Sequence, residues 1–190
     1  MKKKFIIGQY RLCDFVTMTG TLSAFVGIVL ALQGYINTAF ILLVICCITD
    51  CFDGFVARQR KNTEFETSYG FELDSLNDVI AFGAFPIVLA LSSVSLEVIK
   101  YIVPFYGLCG VIRLAYFNAL HINKREEKGY FRGVPITCIS QIYPPVYLLH
   151  LISYSLYEYV TVGLFILMGI LFILNIKVKK PSLEKILKVK

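Results

Sequence analysis

The chain has 190 residues, 57% of them hydrophobic, with a mean hydropathy of +0.69. Its formal net charge is +6, yet the basic residues stand between apolar runs and are not gathered on one face or arm. Apolar runs recurring along the whole length exclude an ordinary soluble domain, and the dispersed charge excludes nucleic-acid binding.

Residues 1–11 are basic. The apolar run that follows is too long for a signal-peptide core and has no small-residue cleavage site, so a retained first helix is expected. Six segments can cross roughly 30 Å of hydrocarbon as helices: 15–33, 36–58, 71–92, 97–119, 134–153 and 157–177. Only helices satisfy their own backbone in lipid at such lengths. No Gly/Ser/Pro-rich linker separates them, so residues 1–190 read as a single domain. Basic residues fall before the first segment, after the second, after the fourth and after the sixth, and 17 of the 19 Lys and Arg lie there. This alternation predicts an all-α integral membrane protein with six transmembrane helices and both termini cytoplasmic.

Five of the six cysteines lie in or at the edge of apolar runs, and Cys13 stands just before the first. With no CxxC and no Cys/His spacing, they read as small buried thiols. His121 and His150 carry no ligand spacing, and neither is given a role.

Carboxylates break the apolar pattern. The second segment ends with Asp50, Asp53, Gly54, Ala57 and Arg58, and the third carries Gly70, Asp74 and Asp78. An ionised carboxylate in a span costs several kcal/mol unless something compensates it, so a functional site is the default reading. Asp50 and Asp53 are i, i+3, and Asp74 and Asp78 are i, i+4, so each pair shares a helix face. Both pairs lie near the cytoplasmic ends of consecutive antiparallel helices and can form one cluster. Four carboxylates together repel, and oxygen-only ligands select hard cations such as Mg²⁺ or Mn²⁺. Two such ions among aspartates suit displacement at a phosphate ester. The blander reading is a set of hydrated interfacial aspartates paired with Arg58. Gly54, Ala57 and Gly70 would let a planar base or a pyrophosphate approach the backbone, although small residues also serve helix contacts.

Together these residues read Asp50-x2-Asp53-Gly54-x2-Ala57-Arg58-x11-Gly70-x3-Asp74-x3-Asp78. The pattern resembles the signature of the CDP-alcohol phosphatidyltransferase family, D-x2-D-G-x2-A-R-x8-G-x3-D-x3-D, with three extra residues before Gly70. The segment Glu72 to Gly83 resembles the ELDSLADVISFG stretch of the family's phosphatidylserine synthase branch, with departures at Asn77 and Ala81. Arg113 to Asn118 resembles its RLARFN stretch, and Phe131 to Pro135 its FxGLP stretch. The resemblance implies that Asp50, Asp53 and Asp74 are metal ligands and that Asp78 is both ligand and general base. It places the CDP moiety on Gly54, Ala57, Arg58 and Gly70. The implied cofactor is a pair of divalent cations, Mg²⁺ or Mn²⁺.

The implied reaction moves the phosphatidyl group of CDP-diacylglycerol to L-serine, releasing CMP, at the cytoplasmic face of the cell membrane. Arg113, a charge inside the fourth segment, needs an anionic partner and suits a serine carboxylate or a phosphate. Arg132, on a cytoplasmic loop, is the second candidate for acceptor binding. Glycerol 3-phosphate or an inositol phosphate are rival acceptors, but their phosphate calls for more cationic groups than the sequence offers. An archaeal lipid donor stays open, as does a homodimer. The rival of another class is a divalent-cation transporter. Against it, the aspartates lie near one face and no inverted repeat is evident.

Overall fold

The structure is a computed structural model that describes residues 11–57, 63–123 and 130–179. Helix α1 (Leu12–Leu32) begins where the Asp14 carboxylate accepts from the backbone N–H of Arg11 at 2.9 Å. It ends in a left-handed turn at Gly34, φ 88°. The Gly34 N–H reaches the Ala31 carbonyl and the Tyr35 N–H reaches that of Leu30. A residue without Cβ makes this Schellman turn at little cost. Helix α2 (Ile36–Ala57) follows at once and packs along α1.

The next helical run is continuous from Glu64 to Ser93, 30 residues, or about 45 Å at 1.5 Å per residue. It comprises α3 (Glu64–Asp78), a π-helical turn (Val79–Ala84) and α4 (Phe85–Ser93). It starts well before position 71 because Thr63 and Glu66 form a capping box. The Thr63 hydroxyl accepts from the Glu66 N–H at 3.2 Å, and the Glu66 carboxylate accepts from the Thr63 N–H at 2.9 Å. Helix α5 (Ile99–Ile122) returns, and α6 (Cys138–Tyr147), a 3₁₀ turn (Leu148–Leu151) and α7 (Tyr154–Ile173) complete the bundle.

Among the described residues five helical runs are long and apolar enough to cross a membrane: Cys13–Leu32, Ile36–Asp53, Glu64–Ser93, Ile99–Ile122 and Tyr154–Ile173. The segment expected at 134–153 is helical only in two short pieces. Pro144 and Pro145 stand inside α6 and bring no N–H to the ladder, so the ten-residue helix tightens into a 3₁₀ turn.

The all-α expectation holds for the bundle, with one addition. Strands β1 (Tyr130–Arg132) and β2 (Lys177–Lys179) pair antiparallel, with Tyr130 opposite Lys179 and Arg132 opposite Lys177. The pair ties the α5–α6 link to the end of α7. Gly133, φ 74°, donates its N–H to Ile176, and a Cβ there would meet the Phe172 carbonyl at 2.8 Å.

Phe82, Phe85, Leu43, Tyr106 and Phe165 are fully buried inside the bundle, whereas Leu22, Phe25, Val29 and Leu32 of α1 face outward. Outward apolar side chains of this kind fit a lipid solvent. Lipid accounts for this surface, which gives a homodimer no support of its own. Cys13, Cys46 and Cys109 are buried as expected, but Cys51 is exposed. At the end opposite the aspartates, the Ser93, Tyr143 and Tyr157 hydroxyls interlock. Beside them the buried Glu158 carboxylate accepts from the Ser95 N–H at 2.6 Å.

Candidate active site

Helix α2 delivers Asp50 from one side and α3 delivers Asp74 and Asp78 from the other. Carboxylate oxygens of these three lie within 4.8 Å of one another. Asp78 is 9% exposed, and the Oδ1 atoms of Asp74 and Asp78 are buried with no hydrogen-bond partner. A bare buried carboxylate oxygen is costly, and here two of them converge with a third carboxylate. That donor set fits a hard divalent cation held by oxygen alone. Asp53 sits one turn from Asp50, close enough for its charge to act on Asp50, Asp74 and Asp78. It is 7% exposed, and its Oδ2 accepts from the Thr17 hydroxyl at 2.6 Å.

Helix α1 packs against both α2 and α3 and sends a polar stripe between them. Thr17 bonds Asp53 of α2, and the Thr21 hydroxyl donates to Asn77 Oδ1 of α3 at 2.8 Å. A turn earlier Asp14, 2% exposed, holds the Arg11 guanidinium at 2.7 Å. The hydrogen bond and charge of Asp14 raise Arg11 above its ordinary pKa, so it stays cationic. Sequence reasoning passed over this stripe. Its signal is the spacing of Asp14, Thr17 and Thr21 on one face of an otherwise apolar helix.

Gly70 lies against that ion pair. A Cβ at Gly70 would stand 1.7 Å from Arg11 Nη2 and 3.3 Å from Asp14 Oδ1. The open backbone there is the seat of a guanidinium. Gly54 and Ala57 lie in the last turns of α2. Arg58 lies outside the described residues. Arg132 lies in β1, across from Lys177.

Arg113 is 7% exposed, with its Nε unpartnered and its guanidinium carbon 5.6 Å from the centre of the Phe117 ring. It stands within electrostatic reach of Asp78. It also lines a cavity of about 290 Å³ between α5 and the end of α7, with Tyr116, Phe172 and Asn175. Five residues on, the Asn118 side-chain amide donates to the Ser75 hydroxyl at 2.7 Å, tying α5 to α3 between Asp74 and Asp78. The site therefore joins an acidic cluster, a buried arginine and a cavity reaching that arginine.

Apolar helices long enough to cross a membrane thus carry an acidic cluster whose oxygens could hold a metal ion. The chain belongs to the CDP-alcohol phosphatidyltransferase family, whose sequence pattern matches residues 10–176. It is 34% identical over 145 residues to the archaetidylserine synthase of Methanothermobacter thermautotrophicus, covering 75% of this chain and 62% of that protein. It is 32% identical over 123 residues to the CDP-diacylglycerol–serine O-phosphatidyltransferase of Methanocaldococcus jannaschii, covering 65% and 53%. To the enzyme of that name from Saccharomyces cerevisiae it is 35% identical over 142 residues, covering 66% and 49%. The matched part of the chain thus spans about half to three fifths of these relatives' lengths.

Proposed function

We propose that the chain transfers the phosphatidyl group of CDP-diacylglycerol to L-serine, giving phosphatidylserine and CMP. The observation that carries this reading is the convergence of Asp50, Asp74 and Asp78, with two bare carboxylate oxygens, beside the buried Arg113. Similarity to relatives named for serine transfer supports the acceptor. Family membership removes the ground for the cation-transporter reading.

Asp50, Asp53, Asp74 and Asp78 would hold two divalent cations, Mg²⁺ or Mn²⁺. Bound there, the cations supply charge neutralisation for the pyrophosphate and for departing CMP. Gly54, Ala57 and Arg58 take the CDP part, and Gly70 contributes by seating the Arg11 cation beside it. Asp78 accepts the proton of the serine hydroxyl as its oxygen attacks the phosphorus that carries diacylglycerol. The bond from that phosphorus to CMP breaks, and CMP leaves with the electron pair. Arg113 holds the serine carboxylate through its planar fork, and the cavity beside it gives the acceptor room. Arg132 is the second candidate for holding the acceptor.

The charge alternation supports six crossings with the fifth made of two broken pieces, both termini and the active site cytoplasmic, and a cell-membrane location. Labelling of single cysteines placed at 62 and 124 from the cytoplasmic side, and at 33 and 155 from the other, checks this layout. Labelling of all four from one side overturns it.

A second reading keeps serine and changes the donor to an archaeal lipid. The similarity to an archaetidylserine synthase favours it. The test of both is radiolabelled serine offered with CDP-diacylglycerol or with its archaeal counterpart, beside labelled glycerol 3-phosphate and inositol phosphate. Labelled lipid from serine is expected. Label from a phosphate-bearing acceptor alone rejects the serine reading.

A further inference from the structure

The π-helical turn Val79–Ala84 starts at the residue after Asp78, in the middle of a span. Single π turns in helices have identifiable causes and gather at functional sites. Here the cause is Pro86. An α-helix would bring the N–H of residue 86 to the Phe82 carbonyl, and proline has none. The ladder slips instead, and Phe85 donates to Ile80, five residues back. The Phe82 carbonyl receives a donor from elsewhere in the fold, the hydroxyl of Tyr106 on α5. Phe82 and Tyr106 are both fully buried, so water cannot take that place. The Tyr106 ring is fixed edge-on to Phe165 with centroids 4.8 Å apart and lies against Phe172 at 5.3 Å.

One extra residue in a helix turns everything before it by about 100° relative to everything after it. After the turn, Phe85, Leu89 and Ala90 face the core. Before it, Asp74 and Asp78 face Asp50. An uninterrupted α-helix could not satisfy both faces with these residues.

We propose that Tyr106 is a positioning residue for the acidic cluster. Its hydroxyl on the Phe82 carbonyl secures the π turn that rotates Asp74 and Asp78 towards Asp50. The inference rests on the reading that this cluster holds divalent cations.

The test measures Mn²⁺ binding to the purified chain by electron paramagnetic resonance, with thermal unfolding followed in parallel. Wild type should bind Mn²⁺. Absence of binding there rejects the cluster reading itself, and the inference with it. Tyr106→Phe keeps the ring and should weaken Mn²⁺ binding by about tenfold, the loss expected when support behind a ligand is removed. Tyr143→Phe removes an equally buried hydroxyl at the far end of the bundle and should leave Mn²⁺ affinity unchanged, whatever it does to stability. Pro86→Ala in the Tyr106→Phe background gives Phe82 a backbone donor and permits the α-helical ladder. That double variant should regain thermal stability without regaining Mn²⁺ affinity. Unchanged affinity in Tyr106→Phe, or full recovery in the double variant, would overturn the positioning role.

Discussion

The Thr17 hydroxyl donates to Asp53 Oδ2 at 2.6 Å, joining α1 to the carboxylate at the edge of the acidic cluster. Both residues are nearly buried, at 6% and 7% exposure. A neutral hydroxyl donor of this kind aligns a carboxylate without itself cancelling the charge. Thr17→Val keeps the shape and deletes the donor. Loss of a buried hydrogen bond to a charged group costs about 1.5–3 kcal/mol. The variant should unfold at lower temperature and bind Mn²⁺ more weakly, and Thr17→Ser should recover most of both. Normal Mn²⁺ affinity in Thr17→Val would remove α1 from the support of the site.

Arg11 and Gly70 form one unit. The space that a side chain at 70 would fill is held by the Arg11 guanidinium. Gly70→Ala should therefore push Arg11 off its seat beside Asp14. Both Gly70→Ala and Arg11→Ala should raise the KM for CDP-diacylglycerol several-fold, and the double variant should be little worse than either. Such non-additivity is the mark of residues acting through one contact. Additive losses would mean that Gly70 and Arg11 meet the substrate independently.

Arg113 separates acceptor from donor. Arg113→Lys keeps the charge and removes the bidentate fork. The KM for serine should rise on the order of tenfold, the worth of one good charge-assisted hydrogen bond, with the KM for CDP-diacylglycerol nearly unchanged. Ethanolamine, which lacks the carboxylate, should be a very poor acceptor for the wild type. A shift in the CDP-diacylglycerol KM alone would move Arg113 from the acceptor to the pyrophosphate.

The spans and the carboxylates were legible in the sequence for simple reasons. Apolar runs of 18 or more residues announce helices in lipid, and charges within them announce themselves. Spacing put Asp50 with Asp53, and Asp74 with Asp78, on shared helix faces, and the fold brings Asp50, Asp74 and Asp78 within 4.8 Å. The early start of α3 was also written there, in Thr63 and Glu66, but a hydropathy window passes over a polar capping box. It likewise gives no weight to the missing N–H groups of Pro144 and Pro145, which break the fifth segment. Other features depend on chain partners far apart. Pro86 marks a fault in its helix, yet only the fold reveals that Tyr106 repairs it. Gly70 reads as room for a ligand, and only the fold brings Arg11 into that room. The pairing of β1 with β2 joins segments more than forty residues apart, beyond the reach of local pattern.

The most direct measurement is CMP release from CDP-diacylglycerol by the purified, chelator-treated chain, with serine and Mn²⁺ added separately and together. The account predicts that CMP appears only when both are present, in a quantity matching the phosphatidylserine formed. It predicts that Asp78→Asn lowers the rate roughly a hundredfold or more, the range expected for loss of a general base. Full CMP release without a divalent cation, or an undiminished rate in Asp78→Asn, would contradict it.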